Sequence, residues 1–138
     1  LAKLHAKAKL IENFRIDVDD RRTHAFPLDL SPPDGTDMGP SALELCVMSL
    51  AGCYATIFVL TAQKMRFILK NLEVKVDAVK SEQVGTITEA NVDVLVEADI
   101  PKDRIQRAHE LTVKGCPVGI LFERAGVNIK YNIHPGKE

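Results

Sequence analysis

LCVMSLAGCYATIFVLTA, residues 45–62, holds eighteen consecutive positions without a charge, and Ser41-Ala42-Leu43-Glu44 stands immediately before it. That preceding tetrad fits a capping box. The Ser41 hydroxyl accepts from the backbone N–H of Glu44, and the Glu44 carboxylate reaches back to the N–H of Ser41. The spacing predicts a helix from there to about Arg66, with Lys64 and Arg66 suited to the negative end of its dipole. Eighteen apolar positions are enough to test for a membrane span. Ser49, Gly52, Cys53, Thr56 and Thr61 interrupt the run, it is the only one of its kind, and Glu44 lies at its edge. The expectation is therefore the central helix of a water-soluble core, with no membrane partner. At 1.5 Å per residue such a helix is roughly 37 Å long. One chain of this size does not easily bury that length, so a second subunit is expected to help cover it.

On the N-terminal side the pattern is that of strands. Phe14, Ile16 and Val18 alternate with Arg15, Asp17 and Asp19, and Asp19-Asp20-Arg21-Arg22 follows as a turn. A short strand over residues 24–30 contains Pro27, which favours an edge. Residues 31–40, rich in Pro, Gly and Asp, form a loop. On the C-terminal side Leu72, Val74, Val76 and Ala78 alternate with charged neighbours. Ala90, Val92, Val94, Val96 and Ala98 alternate with mostly polar neighbours, and residues 81–85 turn between the two runs as a hairpin. Pro101 opens a second helix that ends at Gly115, and a short helical or irregular piece follows Cys116-Pro117. Val127, Ile129, Tyr131 and Ile133 then mark a last strand. The order βββ-α-ββ-α-(α)-β gives an α+β class with antiparallel sheets, in one domain over residues 1–138 and without internal repeats.

Composition narrows the function. The 138 residues are 46% hydrophobic and 27% charged, which is a globular balance. Eighteen basic against nineteen acidic residues leave a net charge of −1, so no nucleic-acid footprint is present. Residues 1–10 mix three lysines with apolar residues and do not read as a signal peptide; the chain opens on Leu1, which leaves its true start open. Three cysteines are too few for a disulfide scaffold and point to a reducing compartment, the cytoplasm. The four histidines are scattered. His109, seven residues before Cys116, lacks the CxxC or HxxxH spacing of a zinc site, and no phosphate loop or nucleotide fingerprint appears, so no metal or organic cofactor is expected.

Chemistry therefore rests on the thiols. Cys46 and Cys53 lie two turns apart on one helix face, roughly 10 Å along the axis, beyond disulfide reach, and Cys46 reads as core filler. Cys116 lies between Gly115 and Pro117, at the N-cap of the following helix. The free N–H groups there lower a thiol pKa, so local sequence ranks Cys116 as the more reactive thiol.

Asp37-Met38-Gly39-Pro40-Ser41-Ala42-Leu43-Glu44-Leu45, continuing to Leu50-Ala51-Gly52-Cys53, resembles the helix start and first cysteine of the OsmC/Ohr family. Lys64-Met65-Arg66 leading to Asn71-Leu72-Glu73-Val74, and Gly115-Cys116-Pro117-Val118, resemble further motifs of that family, and 62 residues separate the two cysteines at its usual interval. The resemblance implies an intertwined homodimer with sheets wrapped around central helices, and a thiol peroxidase that reduces organic hydroperoxides. It implies that Cys53 attacks the peroxide, that Cys116 resolves the sulfenic acid as a disulfide, and that an external thiol reductant closes the cycle. These roles reverse the local ranking. Such peroxidases carry a Glu ten residues before the first cysteine, paired with an Arg from the N-terminal strands. Here that position is Leu43. Glu44, one residue on, points to the opposite side of a straight helix from Cys53 and reads as a capping residue. Arg15, Arg21 and Arg22 lie in the right region as candidate cations, without a context that selects one; their plainer reading is solvated strand edge and turn. Without a cation, Cys53 in an apolar helix would be inert. Two alternatives stay open: an OsmC-like thiol carrier or apolar-ligand binder, and a structural dimer whose cysteines are filler.

Overall fold

A computed structural model describes residues 1–135 of the chain. It divides into two compact units, Leu1–Cys46 and Val47 onward, with the division inside one helix.

The first unit is a three-stranded antiparallel meander, β1 (Lys7–Glu12), β2 (Arg15–Asp19) and β3 (Ala25–Leu28), in the order β1-β2-β3. Pro27 lies on an edge strand, where its missing N–H costs no ladder bond. The loop after β3 is organised by the buried Asp29. Its carboxylate accepts from the backbone N–H groups of Leu30 at 2.7 Å and Met38 at 3.1 Å and from the Thr36 hydroxyl at 3.0 Å. Those bonds, the one from Met38 first, hold its pKa below the ordinary carboxylate value. Gly39 closes the loop against β3, and a side chain there would collide with the Pro27 carbonyl.

Helix α1 (Ala42–Met65) begins with the capping box. The Ser41 N–H donates to Glu44 Oε1 at 2.9 Å, and the Glu44 N–H donates to Ser41 Oγ at 3.1 Å. At the other end Arg66 takes a left-handed conformation, φ 62°, and the Phe67 N–H returns to the Ala62 carbonyl at 3.1 Å. A second cap arrives from far along the chain: Arg104 Nη2 donates to the Met65 carbonyl at 2.9 Å.

The second unit holds most of the core. A hairpin of β4 (Leu69–Ser81) and β5 (Thr86–Ala98) is followed by α2 (Lys102–Gly115), α3 (Pro117–Arg124) and β6 (Asn128–Pro135), with sheet order β4-β5-β6. The alternation that marks β5 buries Val92, Val94 and Val96 completely. One pairing departs from the antiparallel expectation: β6 runs parallel to β5, with Val92 opposite Tyr131 and Val94 opposite Ile133. The two intervening helices carry the chain back to the end of the sheet where β5 began, which a short turn cannot do. The class remains α+β, with one antiparallel sheet and one mixed sheet.

Helix α1 packs by one stripe. Leu50, Tyr54, Phe58 and Ala62, at helical spacing, are at most 3% exposed, whereas Met48, Val59 and Leu60 on other faces are 41–54% exposed. Its length and composition would let it cross a membrane, but the buried stripe belongs to a globular core.

Candidate active site

Cys53 is half-buried on α1, one residue before the core residue Tyr54. Cys116 is the hinge between two helices, closing α2 and serving as N-cap of α3, with Pro117 in the first turn. Folding brings the two thiols close enough to interact, and Cys53 helps to raise the Cys116 pKa.

The local ranking of the thiols does not survive the fold. Cys116 is 1% exposed, and burial pushes its pKa from an ordinary 9.0 up to about 11. The Gly119 and Val118 N–H groups pull it down, as a helix N-terminus should, and negative charge at Cys53 adds to the rise. Desolvation wins because the helix offers only a few partial charges, while the cap is sealed from water on every side. Cys116 is therefore the thiol that keeps its proton. Its raised pKa stabilises the folded chain below about pH 9 and ceases to do so as pH climbs through about 11. The matching expectation is slow alkylation of Cys116 near neutrality, with the rate rising about tenfold per pH unit up to about pH 11. Peptide mapping after iodoacetamide pulses measures it, and fast labelling at pH 7 would contradict the buried, protonated thiol.

Two residues that the sequence did not single out as functional, Tyr54 and Tyr131, join His109, which it weighed only as a zinc ligand near Cys116. Tyr54 from α1, His109 from α2 and Tyr131 from β6 bring their rings together, with centroids 5.2–5.9 Å apart. The Tyr54 hydroxyl and His109 Nδ1 share a buried hydrogen bond of 2.7 Å. Burial is the first cause in each case: it raises Tyr54, raises Tyr131 to about 12, and lowers His109 below its ordinary 6.5, so all three are neutral at pH 7. Gly119 leaves a gap that Cys116 Sγ and the Tyr131 hydroxyl both face, 3.4 Å and 3.6 Å from where a Cβ would stand. Tyr54 sits inside the apolar run and Tyr131 in a strand alternation, so each resembled ordinary core.

The remaining candidates belong to the first unit. Glu44 is committed to the capping box with Ser41. Arg22 forms an exposed ion pair with Asp20 at 3.1 Å, in a turn where His24 Nδ1 also meets Asp20 at 2.6 Å. Arg21 occupies a left-handed turn position, φ 63°, its N–H donating to Asp19 Oδ1 at 2.8 Å. Arg15 lies on β2 with its Nε buried and unpartnered, beside a small cavity lined also by Glu12, Asp29 and Thr36. Cys46 is exposed, so within this chain it does not fill the core as expected.

Comparison with known proteins agrees with this architecture. The family model described as OsmC-like protein matches residues 35–132. Protein YhfA of Escherichia coli strain K12 is 27% identical over 132 residues, spanning 94% of this chain and 96% of that protein. The fold is similar to the crystal structure of an OsmC-like protein from Mycoplasma pneumoniae, with a TM-score of 0.89 at 18% identity and 99% of both chains covered. It is also similar, at a TM-score of 0.64 and 18% identity, to the organic hydroperoxide resistance protein OhrB of Bacillus subtilis, over 96% of this chain and 98% of that one. With the family model matching most of its length, the chain belongs to the OsmC-like protein family.

Proposed function

We propose that the protein is a two-cysteine thiol peroxidase for organic hydroperoxides, working as a homodimer and recharged by an external thiol. The observation that carries this reading is that Cys53 and Cys116, separated by 62 residues in sequence, are brought near enough for Cys53 to shift the Cys116 pKa. The Cys53 thiolate attacks the distal peroxide oxygen, the O–O bond breaks, and the alkoxide leaves as an alcohol after taking a proton. Cys53 is oxidised to the sulfenic acid and the peroxide is reduced. Cys116 then attacks the Cys53 sulfur, the S–O bond breaks, and the oxygen departs with two protons as water. An external dithiol reduces the resulting disulfide by exchange. The open apolar faces of α1 support a second copy as their cover and a preference for greasy peroxides over hydrogen peroxide.

One equivalent of cumene hydroperoxide should consume both thiols and yield a Cys53–Cys116 disulfide within the chain, visible by peptide mapping. Oxidation that leaves both thiols titratable would overturn the reading, and sedimentation at the mass of one chain would remove the homodimer from it.

A second reading is favoured by one observation. Glu44 is spent on the helix cap, and Leu43 stands where the related peroxidases carry their carboxylate. In that case the same thiols carry an adduct, or the fold binds an apolar ligand. Rapid alkylation of Cys53 without peroxide consumption would select the carrier.

A further inference from the structure

Two cysteines on different helices bond only where the helices hold them in register. A disulfide needs its sulfurs about 2.05 Å apart and its Cβ atoms about 3.5–4.5 Å apart, so a slip of ~1 Å between the helices matters. Cys53 is carried by α1, and Cys116 caps the end of α2. Whatever fixes α1 against α2 is therefore part of the chemistry.

Three contacts bear on that placement. Arg104 Nη2 donates to the Met65 carbonyl at 2.9 Å, joining the start of α2 to the end of α1. Ile57, one turn beyond Cys53, packs on the last turn of α2, its Cγ2 3.7 Å from where a Gly115 Cβ would stand. The Tyr54 hydroxyl and His109 Nδ1 share their bond of 2.7 Å. The first lies at the helix ends remote from Cys53, and the second is apolar and tolerates sliding. The third is directional and joins the turns that lead to both thiols: Tyr54 follows Cys53 directly, and His109 stands two turns before Cys116. Water does not compete for it, since Tyr54 is 1% and His109 9% exposed. The Tyr131 ring backs both partners, and its hydroxyl faces the same Gly119 gap as Cys116 Sγ. A Phe and a Leu would fill this space without desolvating two polar groups. What the buried bond adds is a single relative placement of the two helices.

We propose that the Tyr54–His109 hydrogen bond is a register pin: it holds the α1 turn bearing Cys53 against the end of α2 bearing Cys116, and so sets how readily the two sulfurs bond. The inference rests on the Cys53–Cys116 disulfide of the function proposed above. Tyr54 and His109 are positioning residues, since they act through the helices and not on the reacting atoms. Without the pin the reduced chain lets its thiols drift apart, whereas the oxidised chain keeps them joined. By linkage, the pin and the disulfide therefore favour each other to the same degree.

The test is a redox equilibrium, without peroxide. Full-length protein is equilibrated in glutathione buffers of graded ratio and quenched with acid, and the fraction of Cys53–Cys116 disulfide is read by mass spectrometry. Two S–H bonds give way to one S–S bond, the protein loses two electrons and two protons, and one oxidised glutathione becomes two reduced. Tyr54→Phe deletes one oxygen and keeps the ring. It should move the equilibrium about three- to tenfold toward the dithiol, the span that one buried hydrogen bond can supply, and tenfold is about 30 mV. His109→Leu should move it in the same direction, and the double variant no further than the larger single shift, because all three lack the same bond. A role in packing alone weakens oxidised and reduced chains alike. A lowered melting temperature with an unmoved midpoint therefore overturns the pin, as does a shift toward the disulfide or single shifts that add in the double variant. If the wild type forms no Cys53–Cys116 disulfide even in oxidised glutathione alone, the two-cysteine reading itself has failed; if it forms one and the variants titrate at its midpoint, only the pin has.

Discussion

Cys53→Ser is expected to bring organic hydroperoxide consumption down to the uncatalysed background, a loss on the order of 10³-fold or more, since a hydroxyl there cannot replace a thiolate nucleophile. Cys116→Ser should behave differently. Its Cys53 still reacts once, so each chain reduces one peroxide and then stalls as a sulfenic acid that dimedone traps. The contrast follows from the roles proposed above and agrees with the burial of the two thiols, Cys53 half-buried and Cys116 1% exposed. A ferrous–xylenol orange assay, run first at one equivalent and then with excess peroxide and dithiothreitol, distinguishes the two. Equal turnover by wild type and Cys53→Ser would reject the mechanism.

Phe58→Ala should be the most damaging change away from the thiols. Phe58 is fully buried and lies one turn beyond Tyr54, with ring centroids 6.0 Å apart. Removing a buried phenyl ring costs about 3–5 kcal/mol, a large part of the ~5–15 kcal/mol that holds a typical domain folded. In a chain of this length the melting temperature should drop by roughly 10–20 °C. Urea titration should show a lower midpoint with little change in slope. A loss below about 1 kcal/mol would mean that the Leu50–Tyr54–Phe58–Ala62 stripe is not the seat of α1.

Much of this architecture was legible because it is written locally. The capping box at Ser41 and Glu44 needs only four residues, and both bonds are present. The alternation through Val92, Val94 and Val96 declares a buried strand face, and the turn at 81–85 joins it to its partner. Direction is another matter. The period-2 pattern of β6 is the same whether it runs up or down, so its parallel pairing with β5 could not be read from its residues. The same limit explains Cys116. Its neighbours Gly115 and Pro117 announce a helix start, but its pKa is decided by burial beneath distant elements. Tyr54, His109 and Tyr131 stand 22 residues or more apart from one another in sequence, and only folding reveals them as one cluster. Of the N-terminal candidates, Glu44 and Arg22 already have partners, which local reading anticipated for the first alone.

The parallel β5–β6 pair has a consequence for biosynthesis. Because two helices must be made before β6 can dock, the ribosome completes α1 long before Cys116 and Tyr131 emerge. During that interval the nascent Cys53 has no companion sulfur to shield it. On the peroxidase reading, a hydroperoxide that oxidises it then leaves a sulfenic acid with no resolving thiol, and a second peroxide would over-oxidise it irreversibly. If the proposed chemistry holds, newly made copies are thus the ones most open to over-oxidation.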